Sequence, residues 1–142
     1  MSRRKIPELD FREWTNPDTR EIFVEKMGEA LKDIGFFALG GHGIPLDLIT
    51  SAYSISGDFF SLPEDSKVRY ERTEIQRQRG FIPFGVEHAK NNPAPDLKEF
   101  WQTGRTLSED HPKHDEFPLN VWPDDVLPDF RSAIDNLYKQ ME

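Results

Sequence analysis

A four-residue apolar run, Phe36–Leu39, lies between two stretches with helical periodicity and is followed by three glycines within four residues. Such a run is typical of a short buried strand. The glycines permit the positive φ angles with which a strand can turn sharply into the next element. Before the run, Gly35 suits the position that ends a helix, and Pro45 and Asp47 suit the start of the next one. A helix, a strand and a second helix in close succession indicate a mixed α/β chain.

Apolar residues at helical spacing predict three helices. The first is expected to begin after a cap at Asn16 or Thr15, with Pro17 in its first turn. A further helical turn is expected at Pro63–Lys67. The predicted apolar faces are Phe23, Met27, Ala30, Leu31 and Ile34 in the first helix, Ile49, Ala52, Tyr53 and Phe60 with Phe59 beside them in the second, and Phe130, Ile134, Leu137, Tyr138 and Met141 in the last.

Two further strands and one long loop complete the predicted elements. Ile6–Phe11 alternates weakly and predicts a short strand, and Asp96–Gly104 predicts another, with Leu97, Glu99 and Trp101 facing one way. Residues 74–95 are polar and rich in glycine and proline, which predicts a loop. Loops of this length are uncommon unless they serve a function.

Composition limits the classes of partner. The 142 residues can form one domain with a real core, and their net charge of −8 repels nucleic acids and anionic membranes. The absence of cysteine excludes disulfides, thiolate nucleophiles and zinc–sulfur sites. The sequence contains no apolar run near membrane-spanning length and no signal-peptide core. We therefore expect a soluble cytoplasmic protein with no nucleic-acid and no membrane partner.

No arrangement of residues in the sequence predicts catalysis. A non-haem iron site needs two histidines and one carboxylate, and His114-Asp115-Glu116 supplies only a formal His-x-Glu in a proline-rich loop, with no later histidine. His42, between two glycines, is predicted to be structural and to donate to a backbone carbonyl. The glycines at 40, 41 and 43 lack the spacing of a phosphate loop. We predict no catalytic, cofactor-binding or metal-binding residue in this chain.

Four segments, taken in order, resemble a known family. They are GFFALGGHGIP at 35–45, FFSLPEDSK at 59–67, RGF at 79–81 and DLKEFWQTG at 96–104. Together they are similar to the N-terminal half of the isopenicillin N synthase-like family of non-haem iron oxygenases, most of which use 2-oxoglutarate. The resemblance implies an α/β (α+β) fold: helices and a few strands from the N-terminal half of a double-stranded β-helix (jelly-roll) oxygenase, with the barrel incomplete. Residues 1–142 would then be the N-terminal region, and a domain that binds Fe(II) and 2-oxoglutarate would follow residue 142.

The same resemblance implies a candidate substrate pocket. In the family, the segment around a glycine and a following aromatic residue crosses the mouth of the barrel and helps to form that pocket. Three apolar side chains would supply its wall and two polar ones its anchors; the five are Phe81, Ile82, Phe84, Gln78 and Arg79. The β-lactam-forming synthase has an arginine two positions before this glycine, where this chain has Gln78. That difference argues against a tripeptide carboxylate as substrate.

Three functional hypotheses follow. The first is the N-terminal part of an oxygenase that hydroxylates, desaturates or cyclises a small organic molecule, with its own C-terminal barrel as partner and no activity without it. The second is a stand-alone binding or interaction module on the same scaffold. The third is an unrelated soluble acidic α/β domain. The coding sequence after Glu142 distinguishes the first two, since the oxygenase requires the iron ligands to follow.

Overall fold

A computed structural model describes residues 5–88, 90 and 93–142. Within these ranges the chain forms four short strands, five α-helices and three 3₁₀ helices, which confirms the predicted α/β (α+β) class. The strands are β1 (Glu8–Asp10), β2 (Ala38–Gly40), β3 (Gly80–Ile82) and β4 (Phe100–Gln102). The α-helices are α1 (Phe11–Thr15), α2 (Arg20–Asp33), α3 (Leu46–Phe60), α4 (Glu64–Lys67) and α5 (Phe130–Met141). The 3₁₀ helices span Val68–Tyr70, Thr73–Ile75 and His114–Glu116.

The chain divides into two compact units, one ending at Ile44 and one starting at Pro45. In the first unit, β1 pairs in parallel with β2, with Leu9 opposite Leu39, and α2 packs against β1. Asp10 ends β1 and caps α1, because its Oδ1 accepts a hydrogen bond from the Arg12 backbone N–H at 3.0 Å. Among the described residues of this unit, Leu9, Phe23 and Ala30 are the buried apolar ones.

The start of the first long helix differs from the prediction. Helix α2 begins at Arg20, and Pro17 lies in the turn before it. Asn16 Oδ1 accepts from the Asp18 N–H at 3.0 Å, and the Thr19 hydroxyl donates to the Glu13 carbonyl at 2.9 Å. These short polar side chains stabilise a local turn instead of capping a helix at residue 16.

The apolar run of the first unit is less buried than predicted. Strand β2 begins two residues later than expected, at Ala38, and Phe36 and Leu39 are 54% and 37% exposed. In the described part of the chain, β1 is the one strand that pairs with β2. The other edge of β2 is therefore unpaired, and much of its surface is exposed. Gly35 ends the preceding helix with a φ of 93°, as expected for a left-handed terminating residue.

Aromatic side chains form the core of the second unit. Phe59 is fully buried at its centre, with its ring centroid 4.8 Å from that of Trp101 and 5.9 Å from that of Phe81, both edge-to-face. Tyr70 and Phe130 complete the cluster. Helix α5 packs on α3 through this cluster, and edge-to-face ring packing adds to the stabilisation from apolar burial.

The predicted inner face of the second helix is partly wrong. Tyr53 is 78% exposed, whereas Ala52 and Phe59 are the buried residues of α3. Apolar residues cover a wide arc of this helix, so periodicity alone did not fix its rotation. The contacts of Phe59 with the aromatic cluster determine which side is buried.

One strand lies within the region predicted as loop. Strand β3 falls inside residues 74–95 and pairs in an antiparallel arrangement with β4, with Phe81 opposite Trp101. All three residues of β3 are buried, so the sequence shows no apolar–polar alternation there. Strand β4 is shorter than the predicted strand at 96–104, and Leu97 is 91% exposed instead of sharing the buried side with Trp101.

Helix α5 begins at Phe130, as predicted, and its apolar side chains become more exposed toward its C-terminal end. Phe130 is buried and Ile134 packs against the core, whereas Met141 is 63% exposed. Across the described residues, none of the helices has the length and apolar character needed to cross a membrane.

Candidate substrate-binding region

The β3–β4 hairpin positions the residues predicted to line a substrate pocket. Strand β3 begins at Gly80, whose φ is 83°. A Cβ atom at this position would collide with the carbonyl oxygen of Tyr70. Glycine is therefore required at this position. Gly80 lies opposite Gln102, which sets the register of the hairpin.

The structure does not bring the five predicted pocket residues together. Phe81 lies in the aromatic core and is 1% exposed, whereas Phe84 is 58% exposed. Arg79 is buried. Gln78 and Ile82 line a common cleft. Substrate contact by these residues stays a prediction, and the cleft shared by Gln78 and Ile82 is where the geometry supports it best.

This cleft has a volume of about 220 Å³, and we call it the glutamine cleft. Its lining consists of three glutamines, two aliphatic residues and two charged residues: Gln76, Gln78, Gln102, Ile82, Val86, Arg77 and Glu87. Sequence reasoning missed Gln76 and Gln102. The polarity of Gln102 on the predicted strand was visible, but its position beside the 76–78 segment depends on the hairpin register.

The backbone at the edge of the cleft is held in an unusual conformation. Gln76 and Arg77 have φ angles of 55° and 58°, in the left-handed region that side chains other than glycine rarely adopt. The Gln76 N–H donates to the Thr73 carbonyl at 3.0 Å, and the Arg77 N–H donates to the Arg72 carbonyl at 2.9 Å. Such strain persists where surrounding contacts enforce it, and it is concentrated at functional sites.

Arg79 lies outside the glutamine cleft. It is 8% exposed, and its guanidinium occupies the space that a Cβ at Gly104 would need. Nη1 donates to the Gln78 carbonyl at 2.6 Å, and Nε is buried without a partner among the described residues. Asn120 fixes Gly104 by accepting from its N–H at 2.9 Å and donating to its carbonyl at 2.7 Å.

A buried ion pair between Lys67 and Glu99 stabilises the β3–β4 hairpin. Lys67 Nζ lies 2.9 and 2.7 Å from the two carboxylate oxygens of Glu99 and donates to the Phe60 carbonyl at 3.2 Å. It also lies 5.6 Å from the centroid of the Phe81 ring. The pair joins the end of α4 to the residue that precedes β4.

A second polar contact links the core to the segment before α5. The Tyr70 hydroxyl donates a short hydrogen bond to Asp125, whose other carboxylate oxygen accepts from Arg69 at 2.7 Å. Burial and the contact with Asp125 raise the pKa of Tyr70 to about 12, and the same hydrogen bond lowers the pKa of Asp125. The sequence indicated only an ordinary loop residue at Asp125.

The histidines do not form a metal site in the described part of the chain. Nδ1 of His114 lies 3.2 Å from the Leu107 carbonyl oxygen, and Nδ1 of His42 accepts from the Ile44 N–H at 3.0 Å. Donation by His42 to a backbone carbonyl stays a prediction, since the contact at Nδ1 is with a backbone N–H. Among the described residues, no group of three or more His, Cys, Asp or Glu could hold a metal ion. These residues do not fit the iron that the family resemblance implies.

The chain belongs to the family described as non-haem dioxygenase in morphine synthesis, N-terminal, whose profile matches residues 6–125. It is 32% identical over 134 residues to the 2-oxoglutarate-dependent dioxygenase thnC of Trichoderma harzianum, covering 88% of this chain and 39% of that protein. A 2-oxoglutarate-dependent dioxygenase of Didymella fabae is 32% identical over 147 residues, covering 96% of this chain and 44% of that protein.

Solved structures share the fold. A 2OG-Fe(II) oxygenase family protein from Caulobacter crescentus superimposes with a TM-score of 0.76 at 33% identity, covering 96% of this chain and 43% of that one. A full-length Neurospora crassa protein, solved in complex with alpha-KG, superimposes with a TM-score of 0.69 at 24% identity, covering 96% of this chain and 42% of that one, and shows likeness of fold alone. The chain spans about two fifths of the length of the curated relatives described above.

Proposed function

We propose that residues 1–142 are the N-terminal part of an Fe(II)- and 2-oxoglutarate-dependent oxygenase that hydroxylates, desaturates or cyclises a small organic molecule. The observation that carries this proposal is the match to the Caulobacter oxygenase, at 33% identity and a TM-score of 0.76, over 43% of that chain. The dioxygenases similar in sequence support the same activity. The acidic, cysteine-free composition supports a cytoplasmic location.

In this proposal the N-terminal part does not hold the iron. The described residues offer no ligand set, so Fe(II) and 2-oxoglutarate would be bound by the remainder of the protein, which would supply the oxidation. The contribution of residues 1–142 would be to support the barrel and to present the glutamine cleft to the substrate. The partner of this chain is then the catalytic barrel of its own polypeptide.

The test compares the full-length protein with residues 1–142 alone. With Fe(II) and 2-oxoglutarate under air, the full-length protein is expected to form succinate, and the shorter chain is expected to form none. Anaerobic calorimetry with Mn(II), a redox-inert substitute, should detect a stoichiometric site in the full-length protein only. A full-length protein that binds neither Mn(II) nor 2-oxoglutarate would contradict the proposal. A gene that ends at residue 142 would favour the stand-alone binding module.

A further inference from the structure

We infer that the glutamine cleft recognises an uncharged, hydrogen-bonding edge of the substrate, such as an amide, lactam or imide, and discriminates against a carboxylate. This inference rests on the proposed function, because it assigns the cleft to the substrate of that enzyme. It concerns the chemical class of the substrate, and it follows from three properties of the cleft: its amides, its paired charges and its apolar floor.

Three glutamines from two segments of the chain line the cleft. Gln76 lies in the left-handed turn, Gln78 two residues later, and Gln102 on β4 opposite Gly80. No hydrogen bond between described residues engages any of the three side-chain amides. Each amide offers both a donor and an acceptor, so together they suit a ligand edge on which donors and acceptors alternate.

Both charged residues of the lining have a partner of opposite sign. Arg77 Nε lies 2.6 Å from Glu71 Oε1, and Glu87 Oε2 lies 3.0 Å from Lys98 Nζ. A carboxylate that entered the cleft would lose water without gaining an unpaired cation, and this desolvation is unfavourable. A neutral polar group avoids that penalty. The ion pairs therefore act against anionic ligands while the amides remain available.

Size and shape restrict the ligand further. Ile82 is 3% exposed and, with Val86, supplies the apolar surface of the cleft. The cleft volume of about 220 Å³ is below the roughly 300–1,000 Å³ of complete small-molecule sites. It therefore suits one ring or one polar end of a molecule, with the rest of the substrate extending toward the proposed barrel.

The backbone conformation of the segment that carries two of the glutamines is held by several contacts. The Arg77–Glu71 ion pair and the backbone hydrogen bonds of Gln76 and Arg77 hold two successive left-handed residues. A relaxed turn would point the side chains of residues 76 and 78 elsewhere. A backbone segment held in advance loses less freedom on binding, which favours recognition of a defined ligand edge.

The experiment uses benzamide, benzoate and benzylammonium as probes of similar size and different charge. Their dissociation constants are measured by ligand-observed NMR on the full-length protein. We expect the wild-type protein to bind benzamide most tightly. Gln78→Met and Gln102→Met remove the amides at nearly constant volume and should each weaken benzamide binding about 2- to 10-fold, the range of one neutral hydrogen bond. Gln78→Arg should reverse the preference in favour of benzoate.

Gln140→Met, on an exposed position of α5, is the matched control and should bind benzamide as the wild-type protein does. Thermal melting verifies the fold of each variant, and the exposed Gln78 carries the test if Gln102→Met does not fold. A wild-type preference for benzoate, no binding of benzamide, or unchanged affinity in folded Met variants would overturn the inference. Succinate formation is measured on the same samples, so loss of the proposed enzyme activity is distinguished from a wrong assignment of the cleft.

Discussion

The phenol of Tyr70 lies in the aromatic core and donates a hydrogen bond to Asp125. Because of this contact, the stability of the fold depends on pH in the alkaline range. The pKa of Tyr70 rises from its ordinary 10.0 to about 12 in the folded chain. Its contribution to stability is therefore complete below pH 10 and is lost as the pH rises toward about 12, where the folded form ionises as well. We expect wild-type stability to fall more steeply than that of Tyr70→Phe over this interval.

Urea unfolding midpoints at several pH values on either side of pH 10 measure this dependence. Tyr53→Phe is the control, because Tyr53 is 78% exposed and does not belong to the aromatic cluster. Parallel pH profiles for the wild-type chain and Tyr70→Phe would show that the Tyr70–Asp125 contact contributes nothing to alkaline stability.

Individual site residues were predictable only where a local pattern marked them. Gln78 was identified because it precedes a glycine–aromatic pair in a segment that resembles a family motif. Gln76 and Gln102 were missed, because a left-handed φ at a glutamine and the register of a three-residue hairpin leave no mark in the sequence. Asp125 was missed for the same reason, since its partner Tyr70 lies 55 residues away.

The Lys67–Glu99 ion pair joins two elements of the second unit, the β3–β4 hairpin and the α3–α4 region. Its side chains are 9% and 15% exposed, so removal of one partner leaves a charge in poor contact with water. We expect Glu99→Leu or Lys67→Met alone to lower the free energy of unfolding by about 3–5 kcal/mol. The double variant should lose much less than the sum, because no unpaired charge remains.

Urea unfolding of residues 1–142, followed by tryptophan fluorescence, provides the four free energies of this double-mutant cycle. Lys98→Met is the control: Lys98 is half-exposed in its pairs with Glu87 and Asp96, and such a surface pair contributes at most about 1 kcal/mol. Additive effects of the two single variants would refute coupling between Lys67 and Glu99.

Helices were predicted better than strands, for a physical reason. A helix such as α5 repeats its apolar spacing over several turns, so Phe130 and Ile134 identified both the element and its buried side. Strands of three residues, such as β3, are too short to show a period. The start of α2 was also missed, because Asn16 and Thr19 are equally suited to a turn and to a helix cap.

At the scale of the whole molecule, α3 exposes an apolar surface. Leu46 and Tyr53 are 77% and 78% exposed and are seven residues apart, which places them on the same side of the helix. Large exposed apolar side chains that share one face favour association. We expect residues 1–142, produced alone, to self-associate with a mass that increases with concentration.

Sedimentation equilibrium at several concentrations measures this association. The double variant Leu46→Lys/Tyr53→Lys should shift the chain toward monomer, and Leu97→Lys should not, since Leu97 is even more exposed but lies in a loop. A wild-type mass that is monomeric at every concentration would contradict the prediction. The division of the chain at Ile44 was not visible in the sequence, because no change of composition marks it.

The contact between Arg79 and Gly104 also restricts the order in which mutations can accumulate. A methyl group at position 104 would occupy the space of the buried guanidinium, so a substitution there requires the Arg79 side chain to move. Once position 79 carries a shorter side chain, that space is empty and position 104 is free to change. After a larger residue is fixed at 104, an arginine that returns at 79 has to place its guanidinium elsewhere, so the effect of each substitution depends on which of the two comes first.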